Sequence, residues 1–332
     1  MREYLTRKIR RLGFYARGAM LDHASGQRYR QRLARMFESI KDVPPDSEIV
    51  SRVNYYNRLT RPFALDDDAR KASELSRSEG SYYYYDLKEH LLYFPAGLKL
   101  NWIFGDNILI PRHPAIVKSR PIDPENHNAV VLKLDKLRHY TLFNYRDKRP
   151  FDEKESRAVW RGVLNNPLRL ALINRFGNSR RHDIAYVEQP RLECEIRPGA
   201  PLGVTDQLRC RYVLSVEGYD VATNLKWIFA SRSLCLMPRP RYETWFMEGA
   251  LEAGVHYVEL RDDFEDLEDK IDWYDHNPDE AEAIIDNANL HFHRFLDKER
   301  EDLISLLVLE KYFELSGQRP QQPFSQSIFF GD

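Results

Sequence analysis

Between Arg209 and Glu248 a glycine, two small polar residues and a lysine stand at a spacing that could hold a phosphate. Gly218 lies in the break Glu217-Gly218-Tyr219-Asp220, Thr223 and Asn224 follow where a helix would begin, and Lys226 comes within a turn. A glycine lets a ligand approach the backbone, helix-start N–H groups attract an anion, and lysine meets phosphate as a point charge. The flanking residues predict the frame. Residues 212–216 form a β-branched apolar run; Val221, Leu225, Ile228 and Phe229 share one face of a helix over 221–230; residues 233–237 form a second run, stopped by Pro238 and Pro240. This predicts a right-handed βαβ crossover, whose ligands sit outside the carboxyl ends of its strands. The spacing is equally compatible with a helix packed on a sheet with solvated polar residues. Gly-x-x-x-x-x-Asn-x-Lys matches no standard nucleotide fingerprint.

Two further positions could carry chemistry. Residues 167–176 read as a helix with Pro167 in its first turn, which puts Arg169 near the N-terminus, a place suited to a diphosphate. A strand through Val159-Trp160-Arg161-Gly162 precedes it, and residues 183–187 read as another. Upstream, the apolar runs 98–104, 115–117 and 129–132, each bounded by turn residues, predict a sheet. Asp106 follows the first run directly, at a sheet edge where catalytic side chains are often displayed.

Several blocks carry a resemblance. Glu217-Gly218-Tyr219-Asp220-Val221-Ala222, Asn224-Leu225-Lys226-Trp227, Ser231-Arg232-Ser233, Trp245-Phe246-Met247-Glu248 and His256-Tyr257-Val258 are similar to the carboxyl half of glycosyltransferase family 90. Pro114-Ala115-Ile116-Val117-Lys118-Ser119-Arg120-Pro121 and Trp160-Arg161-Gly162 fit upstream. The wording is nearest the bacterial lipopolysaccharide- and capsule-modifying branch; Rumi-type protein O-glucosyltransferases form another. The resemblance implies an α/β, GT-B-like fold, two Rossmann-like domains facing across a cleft, with sugar transferred from a UDP-sugar with inversion. Donor-side residues would be Arg161, Gly162, Arg169, Asp183, Gly218, Thr223, Asn224 and Lys226. Arg169 falls on the arginine that contacts the diphosphate, and the strand begun by Asp183 would approach the nucleotide base. Asp106 aligns with the aspartate that Rumi-type enzymes use as base, with Asp135 and Asp147 as alternatives. Two departures imply partly rewired donor contacts. Val163-Leu164-Asn165-Asn166 replaces a Ser/Arg/Thr-rich turn, and Asn224 replaces a second phosphate-binding arginine.

The implied chemistry is consistent with these parts. An acceptor hydroxyl needs a carboxylate to take its proton, and charge builds on the leaving diphosphate. Arg169, Lys226 and helix N-termini could meet that charge, so neither a metal nor another cofactor is expected. The acceptor would be a glycan or lipid-linked glycan of the cell surface. A catalytically silent sugar-nucleotide-binding protein and a protein O-glycosyltransferase are the alternative readings.

Composition bounds the rest. The 332 residues suit two domains, expected at 1–150 (acceptor side) and 151–316 (donor side, its last helix packing back on the first domain), with a flexible Gln/Pro/Ser-rich tail at 317–332. Lys+Arg and Asp+Glu, 50 and 51, balance, which argues against a nucleic-acid partner. Locally, residues 1–35 hold ten Arg or Lys against Glu3 and Asp22, on a stretch with partial helical amphipathicity. Such a helix could lie on an anionic membrane; an ordinary surface helix is the competing reading. Three scattered cysteines form neither a disulfide framework nor a zinc site, and no run is long enough to cross a bilayer. A cytoplasmic location, peripheral on the inner face of the membrane, is expected. Asp66-Asp67-Asp68 reads as a helix start, Ser81-Tyr82-Tyr83-Tyr84-Tyr85 as a strand, Phe151-Asp152-Glu153-Lys154 as a helix start, and His291 and His293 as surface histidines.

Overall fold

The structure, a computed structural model, describes residues 2–40, 44, 47–140, 147–188 and 190–330, with side chains from Lys8 onward. The chain forms two compact units, Met1–Arg138 with Asp297–Asp332, and His139–Leu296. The division thus falls near residue 138 rather than 150, and the chain returns to the first unit at its end.

The first unit opens with α1 (Arg2–Asp22), α2 (Gly26–Glu38) and α3 (Glu48–Tyr56), so the helix expected over 1–40 is broken once, at residues 23–25. β1 (Arg70–Lys71), α4 (Ser81–Leu91), β2 (Lys99–Ile103), β3 (Ala115–Val117) and β4 (Ala129–Val131) follow. The sheet order is β1-β2-β3-β4, with β1 antiparallel and the rest parallel. The three apolar runs read from the sequence are β2, β3 and β4. Two local readings are corrected. The tyrosine run is helical because Tyr83, Tyr84, Tyr85, Leu87 and Leu91 are buried on several sides of the helix, Tyr85 against α1, and that burial overrides the β-propensity of the aromatics. Asp66 opens a turn, not a helix: both of its carboxylate oxygens accept from Asn101 Nδ2 on β2 at 3.2 Å, which ties the segment to the sheet.

The second unit runs β5 (Glu155–Gly162), α5 (Pro167–Phe176), β6 (Asp183–Tyr186), β7 (Cys210–Leu214), α6 (Leu225–Phe229), β8 (Leu234–Pro238), β9 (Val258–Leu260), α7 (Leu267–His276) and α8 (Pro278–His293). All five strands are parallel, in the order β9-β8-β7-β5-β6. Ala158 and Trp160, Ile184 and Tyr186, Tyr212 and Leu214, and Leu234 and Leu236 alternate onto one face, against Leu172 and Ile173 of α5 and Ile271 of α7. In this 2-1-3-4-5 order the winding reverses between β5 and β7, and the crevice beyond their carboxyl ends is where such sheets hold ligands. Residues 151–154 turn into β5 instead of starting a helix, since Lys154 is buried on Leu208 O and Ser233 Oγ, each at 2.8 Å. Helix α6 is shorter than the predicted 221–230: Asn224 bonds Leu214 O through Nδ2 (2.8 Å) and accepts from Ser215 Oγ (3.1 Å), a side-chain alternative to helix.

The chain returns as α9 (Lys298–Leu315) and α10 (Ser325–Phe329). Helix α9 is buried nearly all round, through Ile304, Leu307, Val308, Tyr312 and Phe313. Polar bonds orient it: Asn57 Nδ2 donates to Val308 O (3.0 Å), and Arg52 pairs with Glu301 (2.6 Å). The flexible tail expected at 317–332 is also corrected. Gln318 accepts from Lys99 N (2.6 Å) and donates to Lys99 O (2.7 Å), as a neighbouring strand would, while Phe324, Ile328 and Phe329 are buried. A Gln/Pro-rich composition is polar on average, but these three side chains suffice to anchor it. Phe324 meets the Phe37 ring edge-on at 5.0 Å. Phe324→Ala should therefore cost about 3–5 kcal/mol in chemical denaturation; a change below about 1 kcal/mol would mean the tail is no part of the folded unit.

Candidate functional site

The crevice at the β5/β7 reversal is organised by Arg169. Its helix starts where Asn166 caps the chain, accepting from Arg169 N at 2.9 Å, with Pro167 in the first turn. Asn166 also donates through Nδ2 to Glu217 O (2.8 Å) and Gly218 O (2.6 Å), which clamps the turn after β7 against the N-terminus of α5. Arg169 bonds the same turn: Nε to Glu217 O (2.9 Å), Nη2 to Val216 O (2.9 Å), and Nη1 to Val163 O (2.8 Å) and Asn165 Oδ1 (3.2 Å). Every acceptor is neutral. No carboxylate lies within ion-pair distance among the described residues, and burial, partly offset by Asp220 and Glu217, pulls the guanidinium pKa down to about 10. A half-buried cation held by neutral carbonyls, at a helix N-terminus and a switch point, is arranged to receive an anion.

The glycines fit around it. A Cβ on Gly162 would fall 2.4 Å from the indole of buried Trp160, whose ring stands 5.5 Å from the Arg169 guanidinium carbon. Gly162 therefore makes room for the platform beneath Arg169. A Cβ on Gly218 would come 3.1 Å from Arg169 Nη2 and cover it. Arg161 and Asp183 meet each other at 2.5 Å, and Arg161 also donates to Asp183 O (2.7 Å) and Ala200 O (2.9 Å). Asp183 opens β6 in register with Val159, so it sits back from the carboxyl edge, and its role there is to hold Arg161. Thr223 is exposed in the turn before α6. Lys226 needs a correction as a phosphate partner. It is buried against Glu248 at 2.7 Å, and Glu248 also accepts from Thr244 N (2.6 Å) and Oγ1 (2.9 Å), so its charge is already met.

One acid in the crevice is unusual. Glu217 shares a small pocket with Leu168, Ser215, Val221 and Pro238, and accepts from Arg241 N (3.0 Å) and Tyr242 N (3.1 Å). Burial outweighs those N–H groups and pushes its carboxyl up to about 7.

The carboxylates considered as bases separate clearly. In the first unit, Asp106 follows Gly105, whose φ of 99° turns the chain out of β2. Asp106 accepts from Lys118 Nζ and from Arg138 Nη2 (2.8 Å). Burial alone would raise its pKa, but these two cations hold it below the usual carboxylate range. Asp135 shares the same arginine, Nε to Oδ2 at 2.7 Å, and takes a left-handed φ of 55°. Burial chiefly, with the neighbouring Asp106 charge, raises the Asp135 pKa. Two carboxyls pushed apart by their surroundings are the pattern of an acid/base pair. Asp147 stands elsewhere, in the second unit, tied to buried Lys154 and to Arg232 N (3.1 Å), a structural setting. Beyond Asp106, Ile108, Leu109 and Ile110 are exposed, on a loop that Asn107 pins through Leu109 O (2.9 Å) and Ser119 Oγ (3.2 Å). The histidine pair splits: His291 is buried on Phe246 O (2.8 Å) and is no surface residue, while His293 faces away.

The profile described as Glycosyl transferase family 90 matches residues 128–327, more than half the chain. The chain belongs to glycosyl transferase family 90. It is a glycosyltransferase. O-glucosyltransferase LpsA of Dichelobacter nodosus is 44% identical over 317 residues, 95% of this chain and 99% of that protein. Protein O-glucosyltransferase 3 of Homo sapiens is 29% identical over 130 residues, 39% of this chain and 25% of that protein. In this family 90 chain, sequence reasoning missed Asn166, Trp160 and Glu217 as site builders. Asn directly before Pro at a helix start is an N-cap signature and could have revealed the first. Nothing in the sequence announces the buried environment of Glu217.

That environment has a thermodynamic consequence. The folded pKa near 7 lies above the ordinary carboxyl value of 4.5, so this group's contribution to stability is full below pH 4.5 and is lost as pH rises through about 7. Glu217→Gln should flatten that decline and stabilise the unliganded protein at pH 8 by about 1–3 kcal/mol, read from denaturation midpoints across pH. An unchanged slope would show that Glu217 titrates normally.

Proposed function

We propose that this family 90 enzyme moves a sugar from a UDP-sugar to a hydroxyl of a lipopolysaccharide or capsule glycan, inverting the anomeric carbon without a metal or other cofactor. The observation that carries the donor half is Arg169. A guanidinium surrounded by neutral carbonyls gains most from a diphosphate, which supplies the charge its surroundings lack and grows more negative as the sugar leaves. The N-terminus of α5 adds the positive end of its dipole to the same site. With Lys226 engaged by Glu248, leaving-group stabilisation rests on these two features. The name of the Dichelobacter relative makes UDP-glucose the first donor to try.

The acceptor belongs, in this reading, with the first unit, the two units working in the GT-B manner. Asp106 takes the hydroxyl proton as the sugar passes through an oxocarbenium-like state. Lys118 and Arg138 keep it ionised and ready, and Asp135, whose pKa is higher, can receive the proton afterwards. Exposed Ile108, Leu109 and Ile110 beside the base suit an acceptor glycan carried on a lipid. The enzyme would then act at the inner face of the cytoplasmic membrane.

Millimolar UDP should raise the melting temperature, and Arg169→Ala should abolish most of the shift while the fold persists. Turnover of a UDP-sugar panel, followed by mass spectrometry, should survive EDTA. No shift with any uridine nucleotide, or chelation that a divalent ion reverses, would sink the donor reading. Asp106→Asn should slow transfer by about 10²- to 10⁴-fold with UDP affinity unchanged. If Asp135→Asn alone produced that loss, the base would be Asp135; matched loss of UDP binding would make Asp106 structural.

A further inference from the structure

Helix α1 is seated by one face and leaves another uncovered. Gly18 and Leu21 are buried and Phe14 and Tyr15 half-buried on the side toward α4; a Cβ on Gly18 would come 2.6 Å from the Tyr85 ring, and Tyr15 Oη lies 3.0 Å from Ser81 Oγ. That contact fixes the rotation of the helix. At about 100° per residue, Leu12, Ala16, Ile9, Met20 and Gly13 then share an arc of roughly 100° on the opposite side. All five are exposed, Leu12 to 72%, Met20 to 66% and Ile9 to 61%. Lys8 borders one edge of this arc, and Arg10 and Arg17 the other, with Arg17 paired to Glu89 of α4. Asp22, the one acid of α1 whose side chain is described, is engaged by Lys88, Arg77 and Tyr84. Arg28, Arg30, Arg32 and Arg35 stand exposed on α2.

We propose that α1 docks on an anionic lipid bilayer through the stripe Ile9, Leu12, Ala16 and Met20, with the basic residues at its edges toward the lipid headgroups. An apolar stripe bordered by cations on both sides matches an interface that is oily below and negative above. A second copy of the chain is a poorer occupant, because a twofold contact would set each cationic border against a like charge. No helix among the described residues is long and apolar enough to cross a membrane, so α1 lies in the surface plane. The proposal deepens the reading of a membrane-borne acceptor, but its test uses neither donor nor acceptor.

The full chain is sedimented with vesicles of phosphatidylcholine alone and of phosphatidylcholine mixed with phosphatidylglycerol. Binding is expected to the mixed vesicles only, falling as salt rises. Leu12→Asp should lower partitioning on the order of tenfold or more. Because Leu12 is exposed, Leu12→Asp should melt like the wild type, which separates docking from folding. Absence of wild-type binding at low salt, or undiminished binding by Leu12→Asp, would overturn the proposal. So would a drop in molar mass by light scattering for Leu12→Asp, which would assign the stripe to self-association. None of these outcomes touches the transferase reading, which stands on UDP binding and turnover.

Discussion

One half-buried cation organises the second unit. Arg169 reaches from the first turn of α5 to the carbonyls of Val216 and Glu217 just after β7, and Asn166 grips those of Glu217 and Gly218 from one position before the helix. The two side chains close the crevice where the parallel sheet reverses direction. Around them the sequence is cut to fit: Gly162 yields space to Trp160, Trp160 underlies the guanidinium, and Gly218 leaves Nη2 uncovered. A charge in this setting is costly unless an anion joins it. The fold thus carries an electrostatic imbalance just beyond the carboxyl ends of β5 and β7.

Three other cations of the same unit are each met by a carboxylate, which is why Arg169 stands out. Lys226 pairs with Glu248, Arg161 with Asp183, and Lys154 with Asp147. Each of these pairs fixes a turn or a strand end and has no charge to spare. The first unit shows the inverse arrangement. There Asp106 and Asp135 share Arg138, and their surroundings drive the two carboxyls in opposite directions. The left-handed φ of Asp135, uncommon for a residue with a side chain, holds it in that cluster. A locally strained backbone and a split carboxyl pair occur together just beyond the parallel strands of that unit.

Much of this was legible in the residues. The runs at β2, β3 and β4, the helix Pro167–Phe176 with its first-turn proline, and the βαβ crossover around Gly218 all follow from period, proline and glycine. These signals are local, and local sterics and burial decide them. Where the reading failed, long-range contact had overruled local preference. The tyrosine run became helix because its tyrosines pack into the surrounding core, Asp66 was drawn into a turn by Asn101, and the polar tail was held by Gln318 and three apolar side chains.

By itself, then, the sequence determined the class of fold, the family and the positions worth testing, because apolar period and turn chemistry act over a few residues. Which charges are free was settled only in three dimensions. Lys226 and Arg169 look alike on paper, each a cation near a helix start beside a glycine turn. Glu248, twenty-two positions after Lys226, comes back to neutralise the lysine, whereas no carboxylate among the described residues comes within ion-pair distance of the arginine, Asp220 and Glu217 acting on it only from farther off. A counter-ion is supplied by whichever segment the chain returns to that place, and no local pattern encodes that return.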